Sequence, residues 1–180
     1  MRIIGGQYRG KKLIAPEGMD TRPTSDRARE SLFNIIDSYF LKNGILWRDV
    51  CVLDVFAGTG AVGIEAVSRG AKKAFLIEKN PAAGRVIRAN QVSGVVLIEK
   101  DVAMVGKAVA SCNLIFLDPP YLKGLVKPAL NILHKKGWIA QNALVIAEVE
   151  KNESLHLDRF EMLDERIYGK AKFIFLRSIL

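Results

Sequence analysis

The chain has 180 residues, of which 49% are hydrophobic and 26% charged, so a mainly disordered protein is excluded and one domain over residues 1–180 is expected. Charged residues interrupt every apolar stretch before it reaches the ~20 residues of a membrane span, which favours a cytoplasmic protein with no membrane partner. Lys and Arg number 27 against 19 Asp and Glu, and this net charge of +8 favours a nucleic acid as partner.

The first 16 residues contain Arg and Lys but no acidic residue. Ile3-Ile4 and Leu13-Ile14 flank a turn at Arg9-Gly10, a pattern that predicts a β-hairpin over residues 1–16. One face of this hairpin would carry Arg9, Lys11 and Lys12. We interpret these three side chains as contacts to RNA phosphates.

A leading helix and an alternating core follow the hairpin. Thr24 can cap a helix that runs from Ser25 to about Phe40, so residues 24–40 form the leading helix. Five short apolar runs predict buried strands: Val50–Phe56, Ala74–Ile77, Val95–Ile98, Leu114–Leu117 and Ala143–Ala147. The amphipathic stretches between them predict four helices: Ala61–Arg69, Pro81–Val92, Val102–Ala110 and Leu125–Lys135. This alternation predicts an α/β fold with a doubly wound parallel sheet, in a core of residues 50–180.

The C-terminal segment predicts a closing antiparallel hairpin. Phe160–Tyr168 and Lys172–Leu180 flank the turn Gly169-Lys170-Ala171. Phe173-Ile174-Phe175-Leu176 is apolar on both faces, so the last strand should lie inside the sheet. The more polar Phe160–Tyr168 strand should then form the edge.

Cysteine and histidine usage argues against a metal site. Cys51 and Cys112 lie at the start of apolar runs and are interpreted as free thiols. The chain has two histidines and no Cys/His spacing typical of a metal site, so no metal is predicted.

The most informative segment joins the first predicted strand to the first predicted helix of the core. Gly58, Gly60 and Gly63 satisfy the G-x-G-x-x-G pattern. Glu78 ends the next strand, where an acid can accept hydrogen bonds from ribose hydroxyls. Taken alone, this pattern would also suit a dinucleotide.

Asp54 argues against a dinucleotide. It precedes the glycines, where a pyrophosphate would lie, and a carboxylate about 5 Å from a phosphate charge costs on the order of 3 kcal/mol at an effective dielectric of 20. S-adenosylmethionine has no phosphate there and presents an ammonium and a sulfonium, which the same carboxylate attracts. Asp101 ends the third strand run and can accept a hydrogen bond from an adenine amino group. Asp54, Glu78 and Asp101 therefore favour S-adenosylmethionine as the cofactor.

Asp118-Pro119-Pro120-Tyr121 directly follows the fourth strand. The exocyclic amine of a base is a poor nucleophile because its lone pair is delocalised into the ring. The Asp118 carboxylate and the Pro119 carbonyl can accept its two N–H bonds and so free the lone pair, each charge-assisted bond contributing about 1.5–3 kcal/mol. Tyr121 offers a face on which a base can stack. The tetrad predicts methyl transfer to an amine without a covalent enzyme intermediate.

Together these segments resemble the amino-methylating class I S-adenosylmethionine-dependent methyltransferases. The chain is further similar to the RsmD family of 16S ribosomal RNA guanine-N2 methyltransferases, through MRIIGGQYRGKKL at residues 1–13, RPTSDRARESLFN at 22–34 and DVFAGTGAVGIEA at 54–66. The resemblance covers the whole chain. The chain departs mildly from the family's sequence pattern at residues 122–124 and 169–172, and these differences affect how RNA is bound and not the chemistry.

This resemblance implies a sheet of order 3-2-1-4-5-7-6 with strand 7 antiparallel, and a protruding N-terminal hairpin. It implies methyl transfer from S-adenosylmethionine to the N2 amine of one guanine of 16S rRNA, presented in a partly assembled small ribosomal subunit. The residues that it assigns to the cofactor are Asp54, Phe56, Ala57, Gly58, Thr59, Gly60, Glu78, Lys79, Asp101, Val102 and Thr24. The catalytic residues that it assigns are Asp118, Pro119, Pro120 and Tyr121, and the predicted RNA-binding residues are Arg9, Lys11, Lys12 and Arg22. We expect a monomer, because the basic crevice must meet a large particle.

Three other functions stay open at this stage. A DNA adenine-N6 methyltransferase uses the same tetrad, although 180 residues leave no space for a target-recognition domain. A non-catalytic RNA-binding assembly factor would keep the fold and would not depend on Asp118. A nicotinamide-dependent dehydrogenase would share the glycine pattern and would bind NAD instead of S-adenosylmethionine. We assign Glu148 and Glu150 no role from the sequence.

Overall fold

The computed structural model describes residues 1–15, 26–120, 124–168 and 171–179. Its helices are α1 (Asp26–Asn43), α2 (Ala61–Ser68), α3 (Pro81–Asn90) and α4 (Val126–Lys135). Its strands are β1 (Cys51–Val55), β2 (Lys73–Ile77), β3 (Val95–Ile98), β4 (Cys112–Leu117), β5 (Ile139–Glu150), β6 (Phe160–Tyr168) and β7 (Ala171–Ser178). Within these ranges, no helix is long and apolar enough to cross a membrane.

The seven strands form one sheet in the order β3-β2-β1-β4-β5-β7-β6, which confirms the order implied by the resemblance. Strands β1 to β5 are parallel, as the alternation with helices predicted, and β7 runs antiparallel to both of its neighbours. The predicted closing hairpin is also confirmed, with β7 inside the sheet and β6 at the edge. The carboxyl ends of five parallel strands therefore meet at one edge of the sheet, where ligands bind in open α/β folds.

The two faces of the sheet carry separate hydrophobic cores. Because successive side chains of a strand point to opposite faces, alternate residues belong to alternate cores. Val52, Phe116 and Ile146 pack in the core that also holds buried residues of α1, α2 and α3. Leu53 and Leu117 pack in the other core, against α4. Asp54 and Asp118 follow the parity of the first set, so they share the α1–α3 face.

The predicted N-terminal β-hairpin is not formed. The described residues 1–15 fold back on themselves, but they are joined by a single antiparallel bridge between Arg2 and Lys12 rather than by two strands. The physical reason is that the backbone donors that follow this bridge along the chain bond to another element instead of to the opposite arm. The N–H groups of Ile4 and Gly5 donate to the Glu65 carboxylate on α2, at 2.7 and 2.8 Å. The segment is therefore a strap held on α2, which we call the N-terminal strap (residues 1–15).

The predicted helix over Val102–Ala110 is also wrong. The structure has only one 3₁₀ turn there, at Val102–Met104. The rest of the segment is held at the corner between α4 and β5, where the Trp138 indole N–H donates to the Gly106 carbonyl at 3.0 Å. That tertiary bond takes up a carbonyl that a continuing helix would need for its own ladder.

Candidate active site

The glycine loop, residues 56–60, joins β1 to α2 at the carboxyl edge of the sheet. Phe56, Gly58 and Gly60 have φ values of 64°, 56° and 75°, in the left-handed region that glycine adopts without steric cost. A Cβ on Gly60 would lie 2.8 Å from a side-chain carbon of Leu76, so close packing against β2 requires glycine there. A Cβ on Gly58 would meet nothing within 4 Å, so the loop faces open space at this point.

Asp54 lies beneath the loop rather than on its surface. Its side chain is 2% exposed, and its Oδ2 accepts a hydrogen bond from the Gly63 N–H at 2.9 Å. Burial raises the pKa of this carboxyl well above its ordinary value, the charges of Asp118 and Glu78 raise it further, and the Gly63 bond opposes them. Asp54 therefore fixes the first turn of α2 against β1. A contact between Asp54 and a cofactor stays a prediction.

Glu78 connects the loop to the end of β2. Its Oε2 accepts from the Gly58 N–H at 2.8 Å and its Oε1 from the Asn80 N–H at 2.7 Å. Ala57 N–H also donates to the Ile77 carbonyl, at 3.1 Å. A carboxylate has about four acceptor sites, so Glu78 keeps capacity for the ribose hydroxyls that the sequence predicted.

Asp101 lies at the end of β3 and is held by two donors. Its Oδ1 accepts from the Ala103 N–H at 2.9 Å and its Oδ2 contacts Lys79 Nζ at 3.1 Å. The Ala103 hydrogen bond and then the Lys79 ammonium lower the pKa of Asp101, so this carboxyl stays ionised. Val102, a predicted cofactor residue, begins the adjoining 3₁₀ turn. Thr24, another predicted cofactor residue, lies outside the described residues.

Asp118 follows β4 at the same edge and on the same face as Asp54. Its backbone N–H donates to the Val55 carbonyl at 3.4 Å, which keeps the first residue after β4 beside the end of β1. Burial raises the pKa of the Asp118 carboxyl to about 6. Pro119 is half-buried and Pro120 exposed, while Tyr121 lies outside the described residues.

Glu148, near the end of β5, lies at the same edge of the sheet, and the sequence assigned it no role. Its burial and the charge of Asp118 raise its pKa to about 8. Within the described part of the chain, its Oε2 is buried and has no hydrogen-bond partner. The signal was available in the sequence, because Glu148 is two residues beyond Ile146 and alternation places both on one face.

Each of the five parallel strands thus brings one carboxyl group to this edge of the sheet: Asp54, Glu78, Asp101, Asp118 and Glu148. The carboxylates of Glu78, Asp101 and Asp118 in this row repel a phosphate and attract a cation. The residues present therefore fit a net cationic cofactor of the S-adenosylmethionine type better than a dinucleotide. No group of three or more His, Cys, Asp or Glu in the described ranges is arranged to hold a metal ion.

The predicted RNA-binding residues of the N-terminal strap lie together near its turn. Arg9 and Lys12 are exposed, and Lys11 is partly buried, with its Nζ 5.9 Å from the ring centroid of Tyr8. Arg22 lies outside the described residues. The strap thus presents three basic side chains, whose contact with RNA stays a prediction.

Comparison with known proteins places the chain among methyltransferases. The family model described as Conserved hypothetical protein 95 matches residues 1–177. The chain is 37% identical over 160 residues to Ribosomal RNA small subunit methyltransferase D of Escherichia coli (strain K12), covering 86% of this chain and 77% of that protein. The protein of the same name from Haemophilus influenzae is 31% identical over 183 residues, covering 96% of this chain and 91% of that protein.

A solved structure gives the same result for the fold. The putative methyltransferase yhhF from Escherichia coli superposes with a TM-score of 0.83 and 33% sequence identity, over 99% of this chain and 98% of that one. The likeness extends over the whole sheet and the segments that precede it.

Proposed function

The chain belongs to the Conserved hypothetical protein 95 family, and we propose that it transfers a methyl group from S-adenosylmethionine to the exocyclic N2 amine of a guanine in small-subunit rRNA. The relatives named Ribosomal RNA small subunit methyltransferase D support the RNA class. The observation that carries the chemistry is the half-buried Asp118 carboxyl directly after β4, beside the glycine loop.

The carboxyl row supports the choice of cofactor. S-adenosylmethionine supplies an electrophilic methyl group on a sulfonium. The carboxylates of Glu78 and Asp101 would accept hydrogen bonds from its ribose and adenine portions. Asp54 and Gly63 keep the glycine loop in shape beneath them, since their hydrogen bond joins β1 to α2.

Asp118 and Pro119 support the choice of an amine as acceptor. With its pKa at about 6, Asp118 is mostly ionised at pH 7 and can accept an amine N–H bond. The rigid Pro119-Pro120 backbone leaves the Pro119 carbonyl free to accept the second N–H. The N2 lone pair would then form the new N–C bond to the methyl group, the electron pair of the C–S bond would stay on sulfur, and the amine would pass its proton to the Asp118 carboxylate. Positioning of the amine against the methyl group supplies up to about 7–11 kcal/mol of the barrier reduction.

The N-terminal strap supports an RNA substrate. Arg9 and Lys12 are exposed on a segment that Glu65 fixes on α2, so their charges occupy a defined place on the protein surface. Each phosphate that they neutralise would release a counterion and make binding salt-dependent. A partly assembled small subunit is the proposed form of the substrate, and the protein is proposed to act as a cytoplasmic monomer.

The test is a methylation assay with purified protein, S-adenosylmethionine labelled in its methyl group, and small-subunit rRNA either free or in partly assembled particles. Nucleoside analysis should find N2-methylguanine with the wild type and none with Asp118→Ala. Asp158→Ala, which alters an exposed aspartate in the loop before β6, is the matched control and should retain full activity.

The other outcomes identify the alternatives. N6-methyladenine in DNA would indicate a DNA methyltransferase. Restored subunit assembly in cells that carry Asp118→Ala would indicate a non-catalytic assembly factor. Calorimetric binding of NAD without binding of S-adenosylmethionine would indicate a dehydrogenase.

A further inference from the structure

Glu148 and Asp118 occupy equivalent places on neighbouring strands. In the parallel pair of β4 and β5, Leu117 lies level with Ala147, so the next residues along the two strands, Asp118 and Glu148, lie side by side. Phe116, two residues before Asp118, is buried in the core on the α1–α3 face. Alternation puts the Asp118 and Glu148 side chains on that same face, at the edge where the acceptor base must lie.

Glu148 has no cation to balance a charge in the described part of the chain. Across the sheet on β7 it lies level with Phe173, which is apolar. The next residue on β7, Lys172, lies level with Val149 and so belongs to the opposite face, and its Nζ lies 3.5 Å from the Glu165 carboxylate on β6.

Two neighbouring carboxyl groups, both shielded from water, do not both ionise readily at neutral pH, because each charge disfavours the other. Asp118, with a pKa of about 6, takes the ionised form, and Glu148, with a pKa of about 8, stays neutral. A neutral carboxyl group presents one O–H donor and one carbonyl acceptor, whereas a carboxylate presents acceptors alone. The buried Oε2 without a partner shows that at least one of these positions is unused in the protein alone.

The Watson–Crick edge of guanine carries the matching pair of groups. Next to the N2 amine it presents the N1–H donor, followed by the O6 acceptor. We propose that Glu148, as a neutral carboxylic acid, recognises guanine by donating its hydroxyl to O6 and accepting from N1–H, while Asp118 accepts from the N2 amine. This inference rests on the proposed function, and it assigns base specificity to β5. Adenine presents an acceptor at N1, so it would leave one side of this pair unsatisfied in a buried site.

The test compares two bases that share the reacting amine. RNA fragments are built by ligation with either guanine or 2-aminopurine at the position that the wild type methylates. 2-Aminopurine keeps the 2-amine and lacks both O6 and N1–H. The discrimination ratio is kcat/KM for guanine divided by kcat/KM for 2-aminopurine, and it is measured for the wild type, Glu148→Gln and Glu148→Ala. Because both substrates are assayed on one enzyme sample, the ratio does not depend on the folded fraction.

We expect Glu148→Gln to keep the ratio, since its amide offers the same donor and acceptor as the neutral acid. Glu148→Ala should lower the ratio by about tenfold or more, because the contacts to O6 and N1–H are lost. Glu150→Gln, two residues further on the same strand and face, is the matched control and should leave the ratio unchanged. In the wild type, kcat/KM on guanine should also fall as the pH rises through about 8 and Glu148 ionises. Glu148→Gln should lack that step and keep only a decline that belongs to the base itself.

The results distinguish a failure of the proposed function from a failure of the Glu148 assignment. A wild type that does not methylate guanine in rRNA refutes the proposed function and this inference together. A wild type that does, with an unchanged ratio in Glu148→Ala, refutes the assignment of Glu148 alone. A Glu148→Gln variant that loses discrimination as Glu148→Ala does would also overturn it, since it would show that a neutral donor–acceptor pair is not what recognises the base.

Discussion

Replacement of Glu65 by alanine should detach the N-terminal strap from α2. The Glu65 side chain is 0% exposed, and its two carboxylate oxygens accept from three donors. These donors are the N–H groups of Ile4 and Gly5, at 2.7 and 2.8 Å, and the Arg69 Nε–H, at 2.9 Å. Glu65→Ala removes all three acceptor contacts at once and leaves the Arg69 guanidinium half-buried.

The size of the effect follows from these contacts. Hydrogen bonds to a charged group contribute about 1.5–3 kcal/mol each, and loss of one partner of a buried ion pair costs about 3–5 kcal/mol. Arg69 keeps a second ion pair with Asp37 at 2.8 Å, and the strap donors can reach water once the strap lifts. We therefore expect the free energy of unfolding to fall by about 3–5 kcal/mol rather than by the full sum of the bonds.

The assay is urea denaturation followed by circular dichroism, with amide hydrogen exchange at Ile4 and Gly5 to localise the change. Glu99→Ala is the matched control, because Glu99 also pairs with an arginine, Arg88, at 2.7 Å, but on the surface. That change should cost at most about 1 kcal/mol. A Glu65→Ala protein within about 1 kcal/mol of the wild type, with Ile4 and Gly5 still protected, would refute the reasoning.

Three further outcomes are expected. Burial raises the pKa of Asp118 to about 6, and its ionised form accepts the amine, so kcat/KM should fall as the pH falls through about 6. An aspartate with an ordinary pKa would stay ionised at that pH, and a pH–rate profile distinguishes the two cases. Gly6→Ala should lower the free energy of unfolding, measured by chemical denaturation, by about 3 kcal/mol or more, because the φ of Gly6 is +77° and the new Cβ would lie 1.7 Å from a carbonyl oxygen of α2. Gly10 is the control: its φ is +86°, but its Cβ would meet no atom within 4 Å, so Gly10→Ala should lower that free energy by about 1 kcal/mol. The rate at which iodoacetamide alkylates Cys51 should rise with pH with a midpoint near pH 7, because the Cys112 thiol, 3.7 Å away, donates to the Cys51 sulfur and lowers the pKa of Cys51. Cys112→Ala removes that donor and should move the midpoint to a higher pH.

The core of the fold was predictable because its signals are local. Runs such as Val95–Ile98 are short, apolar and β-branched, and the structure places β3 at those residues. Asn80 and Pro81 mark a helix start that the structure confirms, with the Asn80 side chain accepting from the Ala82 N–H at 2.8 Å. Sheet order is not local, and it came from the family resemblance.

The N-terminal strap was not predictable in the same way. Its pattern of apolar pairs around a turn favours a hairpin, and that pattern carries no information about Glu65, some 60 residues away. Once Ile4 and Gly5 donate to a side chain of α2, the backbone pairing of residues 1–3 with residues 10–13 does not extend into two strands. Long-range contacts of this kind override local preference.

The candidate site was predictable by residue type but less so by role. The glycines and Asp54 are where the motif puts them, yet Asp54 is buried and bonded to Gly63 instead of lying open to a ligand. Glu148 received no role from the sequence because it belongs to no motif. Its place beside Asp118 follows only when the register of β4 and β5 is known.

The Asn90 side chain links the N-terminal strap to the glycine loop. Asn90, at the end of α3, accepts from the Ile14 N–H at 2.8 Å and donates to the Ile14 carbonyl at 2.9 Å, and the same Nδ2 lies 3.5 Å from the Thr59 carbonyl in the glycine loop. The strap and the loop are therefore both bonded to one side chain. A displacement of the strap is therefore expected to reach the backbone of the glycine loop through this side chain.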